Sequence, residues 1–227
     1  MKRPTAKYGF TLIELSIVIV IIALLIAGFS GGANLIKQAE VKSVIIDLQN
    51  LKTAYNNFIA KYNAVPGDMT NAASYWPNGA CAQVDVDCNG NGDGKINASY
   101  FLLNIGPPGQ PGDEVRTALK QLSLSGLIAD GIAQVPDAVV PLVPGVNAPA
   151  SKVSGVGYYI AEGDSPSAWG SSFTPNPSTY PSTVNVIFIG KTAPYSDDNL
   201  VYSAFTPLDA FNIDLKMDDG SIVTSMN

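Results

Sequence analysis

The chain reads as α+β: one long N-terminal helix whose second half packs on a small antiparallel sheet. Three observations predict this. No proline stands between Pro4 and Pro66, and apolar residues there recur at helical steps. Asparagine, proline and glycine then break the pattern at 63–68. Past residue 150, compact runs of β-branched and aromatic residues alternate with proline-rich loops.

The helix is expected over residues 10–62, about 80 Å at 1.5 Å per residue. Its first part, 10–34, is apolar all round, and about 20 such residues suffice to cross a bilayer. Its second part, 35–62, changes character. Val41, Val44, Ile45, Leu48, Leu51, Tyr55, Phe58, Ile59 and Tyr62 step by three or four, with Lys42, Asp47, Asn50, Asn57 and Lys61 between them. That is one face for a core, and its aromatics read as core rather than as a ligand box. Gly28, Gly31 and Gly32 lie at the junction. Two readings of them stay open: local loosening of the helix and close helix packing.

Residues 63–227 form the expected head. Asn63-Ala64-Val65-Pro66-Gly67-Asp68 ends the helix. A loop rich in asparagine and glycine runs to about residue 97. Within it Asp87, Asn89, Asn91 and Asp93 alternate with small residues, in the manner of a calcium loop whose alternate side chains face one cation. The bidentate glutamate that completes such a loop is missing: the twelfth position is Ala98 or Tyr100. The same residues are good turn formers without a metal. A second helix is expected from Asp113 or a neighbour, through Val115, Ala118, Leu119 and Leu122, ending near Gly126 or Gly131. Pro136, Pro141, Pro144 and Pro149 mark extended chain. Strands are expected at 156–160 and 184–189, with further ones at 200–205 and 222–223, making three to five in all. Pro207 to Ala210 reads as a helical turn, and 213–217 as helix end or strand. Asp218-Asp219-Gly220, with Asp209 and Asp214, reads as a solvated turn.

Composition excludes several classes. The 227 residues suit one ordinary domain plus an anchor. There is no histidine, so no Ser-His-Asp triad, Cys-His dyad or histidine-ligated zinc. No spacing suggests another catalytic constellation, and the chain is expected not to be an enzyme. Formal charge is -6. Residues 10–62 carry three acids and four bases, whereas 63–227 carry sixteen acids and six bases. Such an acidic head is no nucleic-acid surface, which needs clustered Lys and Arg.

The most specific segment is Gly9-Phe10-Thr11-Leu12-Ile13-Glu14-Leu15. Lys2, Arg3 and Lys7 precede it, and Glu14 is the only charge between Lys7 and Lys37. A charge in a bilayer-length helix costs roughly 2.5–3.5 kcal/mol or more at the membrane centre, so it reads as functional. A cleaved secretory signal or a plain anchor with positive-inside residues would explain the bases and the apolar run. Neither explains Glu14.

With bases before it and about twenty apolar residues after it, G-F-T-L-I-E resembles the class III signal of type IV prepilins and of the pseudopilins of type II secretion. The resemblance covers about 30 residues, and beyond them only the layout is similar, a long helix bearing a pilin-like head. It implies a leader at 1–9, cut between Gly9 and Phe10 by a prepilin peptidase that also N-methylates Phe10. It implies that Glu14, then fifth in the mature chain, pairs with the Phe10 amine of a neighbouring subunit, and breaking such a pair strands a buried charge. The function implied is structural: a subunit of a type IV pilus or type II secretion pseudopilus, assembled as a filament with itself. The partners implied are the membrane, the peptidase and inner-membrane assembly machinery. Two alternatives stand beside it: a minor pilin with an adhesive or DNA-uptake head, and an anchored exported domain that never assembles. The expected location is the inner membrane, N-terminus in the cytoplasm and head outside, then the filament. There Cys81 and Cys88, the two cysteines of the chain, are expected to form one disulfide, a free reactive pair being the alternative.

Overall fold

A computed structural model describes residues 9–76, 89–97, 114–129, 132, 142–163, 184–191 and 203–217, except for the side chains of 30, 31, 33 and 34. The chain divides into two units, Met1–Val41 and Lys42–Asn227.

In the first unit the long helix α1, Leu12–Tyr62, begins two residues later than periodicity alone places it. Its stretch Leu12–Phe29 has a mean hydropathy of 2.9 over 18 residues, with none of it buried. That length is about 27 Å, close to the roughly 30 Å hydrocarbon core of a bilayer. Ser16 donates its hydroxyl to the Leu12 carbonyl at 2.9 Å, so this polar side chain is satisfied within the helix. An apolar medium demands that of every polar group.

In the second unit the remaining residues of α1 are amphipathic as expected. Val44, Leu51, Ala54 and Phe58 are buried. The helix stops at Asn63, which takes the left-handed conformation at φ 51° and donates to the Ile59 carbonyl at 2.8 Å. Asparagine tolerates that conformation better than most residues.

Helix α2 spans Glu114–Leu124. It closes in a Schellman motif: Gly126 at φ 72° donates to Ser123, and Leu127 donates to Leu122. The sheet has two strands among the described residues, β1 at Val156–Glu162 and β2 at Asn185–Lys191. They run antiparallel, with Tyr159 opposite Phe188 and their rings stacked at 4.8 Å. All seven residues of β1 are buried. One core joins the elements: Leu51, Ala54 and Phe58 of α1, Val115, Leu119 and Leu122 of α2, and Tyr158 to Ala161 of β1.

Two expectations need correction or restriction. Pro207 to Met217 is one helix, α3: the helical turn expected at Pro207 runs on through 213–217, which is helix end and not strand. Thr206 caps it, exchanging hydrogen bonds with the Asp209 side chain (2.6 Å) and N–H (3.3 Å), and proline at the first helical position suits that start. The described part of the expected strand at 200–205, Ser203 to Phe205, is not strand and leads into this helix. Residues 200–202 and 222–223 lie outside the described residues, as does the acidic turn at 218–220.

Candidate functional site

Each unit carries one candidate. In the first, Gly9, Phe10 and Thr11 precede the helix in non-helical backbone, and Phe10 is 91 % exposed. Thr11 is the helix cap. Its backbone N–H and its hydroxyl both donate to Glu14 Oε2 at 2.8 Å, and the Glu14 N–H donates back to the Thr11 hydroxyl at 3.3 Å. This is a capping box, in which threonine and a glutamate three residues on satisfy each other's orphan donors. Its spacing, T-x-x-E, is readable in the sequence, and it explains why α1 starts at Leu12. The structure thus brings Glu14 to Thr11, a residue that the motif's cleavage site and glutamate did not single out.

In the second unit the loop 89–97 folds onto the segment after α1. Asp68, 4 % exposed, lies at its centre. The Asp68 carboxylate accepts from three backbone N–H groups, those of Gly92, Asp93 (3.1 Å) and Gly94 (2.7 Å). Gly92 and Gly94 stand at φ 80° and 86°, which turns successive N–H groups inward. Glu114, at the start of α2, accepts from the N–H groups of Asn91 (3.1 Å) and Asn97 (2.8 Å). One turn-pair further along α2, Gln121 accepts from Gly67 N–H at 2.7 Å. The backbones meet so closely that a Cβ at Gly90 would lie 2.3 Å from the Asp68 Cα.

This geometry places the expected calcium residues differently from a single cation shell. Asn89 Oδ1 accepts from Ala73 N–H at 3.0 Å, away from the others. Asn91 and Asp93 are together, joined by a side-chain hydrogen bond of 3.1 Å. Asp87, like Cys81 and Cys88, lies outside the described residues. Asp68 and Glu114 were missed by reading the loop alone. Alternate glycines were the available signal, since inward N–H groups call for an anion at the centre. Carboxylate oxygens of Asp68, Asp93 and Glu114 lie within 4.8 Å of one another. Oxygen donors so placed suit a hard cation.

A proton also neutralises such a cluster. Burial pushes the Glu114 carboxyl up from 4.5 to about 7, the hydrogen bonds from Asn97 and Asn91 oppose this, and the charges of Asp68 and Asp93 add to it. Burial acts on Asp93 in the same sense, but hydrogen bonds from Asn97, Lys95 and Asn91 and the Lys95 charge hold it below its usual range. The folded chain therefore keeps the Glu114 proton where the unfolded chain has lost it. This contribution to stability is complete below about pH 4.5 and declines as pH rises to about 7. Glu114→Gln is expected to flatten that decline, read from urea midpoints of the full chain in micelles between about pH 5 and pH 8. An equally steep decline in the variant would show that other groups cause it.

A cleft of ≈ 480 Å³ lies beside α1, with Asp47, Asn50, Asn57, Lys152 and Tyr158 among its lining residues. Tyr158 donates its hydroxyl to Asp47 at 3.1 Å, which ties two of these polar groups to each other.

Comparison with known proteins bears on the first unit. Residues 5–30 match the family model of the prokaryotic N-terminal methylation motif, the prepilin-type cleavage and methylation domain. No curated protein and no solved structure matches the chain. The matched segment is similar to that of type IV pilin-like and pseudopilin precursors, a structural and typically non-enzymatic kind of protein. Such a precursor is membrane-anchored by one N-terminal apolar helix, and Leu12–Phe29 is long and apolar enough to serve.

Proposed function

We propose that this chain is a structural subunit of a type IV pilus or type II secretion pseudopilus. A prepilin peptidase cuts it between Gly9 and Phe10 and methylates the new Phe10 amine. The chain is held in the inner membrane through residues 10–34, N-terminus inward and head outward. It then enters a filament by helix packing, through inner-membrane assembly machinery, with Glu14 setting the register. The observation that carries this reading is the match at 5–30, which takes in the exposed apolar stretch Leu12–Phe29. An apolar helix exposed along 18 residues needs a covering, and lipid and neighbouring helices are the two this reading supplies in turn.

The test is the intact mass of the chain made in a bacterial membrane with and without a prepilin peptidase. The expected product begins at Phe10 only when the peptidase is present. An uncut chain, or one cut near Gly31 by ordinary signal peptidase, sinks the reading.

Calcium on the loop 89–97 is a secondary reading, supported by the three clustered carboxylates. Repeating the urea series with millimolar calcium reads it out. Binding raises stability most above pH 7, where Glu114 has given up its proton. Unchanged midpoints reject it.

A further inference from the structure

We propose that Thr11 is a positioning residue for assembly: it anchors one oxygen of the Glu14 carboxylate and leaves the other for a cation, the terminal amine of a neighbouring subunit. The inference rests on the filament reading above and deepens it.

The division of labour between the two oxygens carries the argument. Oε2 accepts both Thr11 bonds, from N–H and from hydroxyl, each at 2.8 Å. The hydroxyl in turn accepts from Glu14 N–H at 3.3 Å, so the ring of contacts closes on itself. Among the described residues, Oε1 has no hydrogen-bond partner. A glutamate side chain otherwise turns about several bonds, and ordering it opposes any contact it makes. Here that order exists before a neighbour arrives, because the residue is fixed from both ends. A preorganised acceptor binds its partner with less loss of freedom. The position of the box matters as well. Thr11 starts the helix, so Phe10 lies outside it and exposed, and cleavage after Gly9 would leave its amine able to reach another subunit. The same residue thus aims the acceptor and keeps the donor out of the helix.

Thr11 also makes the carboxylate tolerable at the membrane. An ionised group without hydrogen bonds is expensive in an apolar medium. Two donors on one oxygen and the positive end of α1 offset part of that cost. They do so without using the oxygen that the neighbour needs.

The experiment compares the wild-type full chain with Thr11→Ser and Thr11→Val, each made with a prepilin peptidase. Serine keeps both donors, whereas valine keeps the shape and loses the hydroxyl. Three quantities are read: the N-terminal mass, the amount of filament sheared from cells, and the carbon-13 resonance of the Glu14 carboxyl in vesicle-embedded monomer, assigned with Glu14→Gln. All chains are expected to be cut at Gly9. Thr11→Val should shift the carboxyl resonance and lower filament yield about tenfold, equivalent to about 1.4 kcal/mol. Thr11→Ser should restore both. Wild-type yield from Thr11→Val overturns the inference, and so does an equal loss in Thr11→Ser, because serine retains the hydroxyl that the inference requires. A wild-type chain that is cut but forms no filament overturns the assembly reading instead. In that event an unmoved resonance in Thr11→Val still rejects the anchoring of Glu14 by Thr11.

Discussion

Asp68→Ala is expected to destabilise the second unit by about 3 kcal/mol or more. Three backbone donors lose their acceptor at once, from Gly92, Asp93 and Gly94. Hydrogen bonds to a charged group are worth roughly 1.5–3 kcal/mol each. The full sum is not expected, because Gly92 and Gly94 are exposed and water reaches their amides. Asp68→Asn should fall between. Its one carbonyl oxygen can keep the bonds that Oδ1 makes to Gly92 and Asp93, but its amide would face the Gly94 N–H, donor against donor. The loss in Asp68→Ala should also depend on pH. The Asp68 charge helps to hold the Glu114 carboxyl up, so removing it relieves repulsion once Glu114 ionises. The deficit should therefore be larger near pH 5.5 than near pH 8. Urea unfolding followed by intrinsic fluorescence measures both values. A deficit below about 1 kcal/mol at either pH would show that the carboxylate does not hold the loop.

What the sequence disclosed followed the range of the signals. The end of α1 at Asn63, Gly126 as one of two candidate stops of α2, and strands at 156–160 and 184–189, which the structure carries to 162 and 191, were legible because each depends on neighbours within a few residues. Helix α3 was only half legible: its start at Pro207 read as a helical turn, while 213–217 stayed open between helix end and strand. The Thr206–Asp209 cap, which resolves it, was overlooked although it is equally local. The loop 89–97 was only partly legible for a different reason. Its alternating oxygens allowed either a cation loop or a metal-free turn, and the group its N–H donors fold around, the Asp68 carboxylate, stands 24 residues before Gly92. No local rule joins residues so far apart. The carboxylates also act as a group, and their mutual repulsion becomes visible only once the chain has folded. At the N-terminus the reverse held. Gly9, Phe10 and Glu14 belong to a motif compact enough to be seen whole.

Glu14→Leu is expected to leave cleavage intact and abolish filaments. Glu14 is the sole charge between Lys7 and Lys37, so the variant presents an uninterrupted apolar surface. As a membrane-held monomer it should be at least as comfortable as the wild type, because a charge costing roughly 2.5–3.5 kcal/mol at the bilayer centre is gone. In the proposed filament the balance reverses. Each Phe10 amine would lose its carboxylate, and removing one partner of a buried pair costs about 3–5 kcal/mol. At about 1.4 kcal/mol per tenfold, subunit association weakens by roughly two to four orders of magnitude. Both effects act in the same direction: they favour the monomer in the membrane over the subunit in the fibre. Glu14→Gln should weaken assembly less, since its amide oxygen can still accept from an amine, without the charge. The measurement is filament sheared from cells against monomer retained in the membrane fraction, with the N-terminal mass confirming a start at Phe10. Filaments of Glu14→Leu in wild-type amount would show that helix packing alone drives assembly, and would leave the glutamate with its capping role at Thr11.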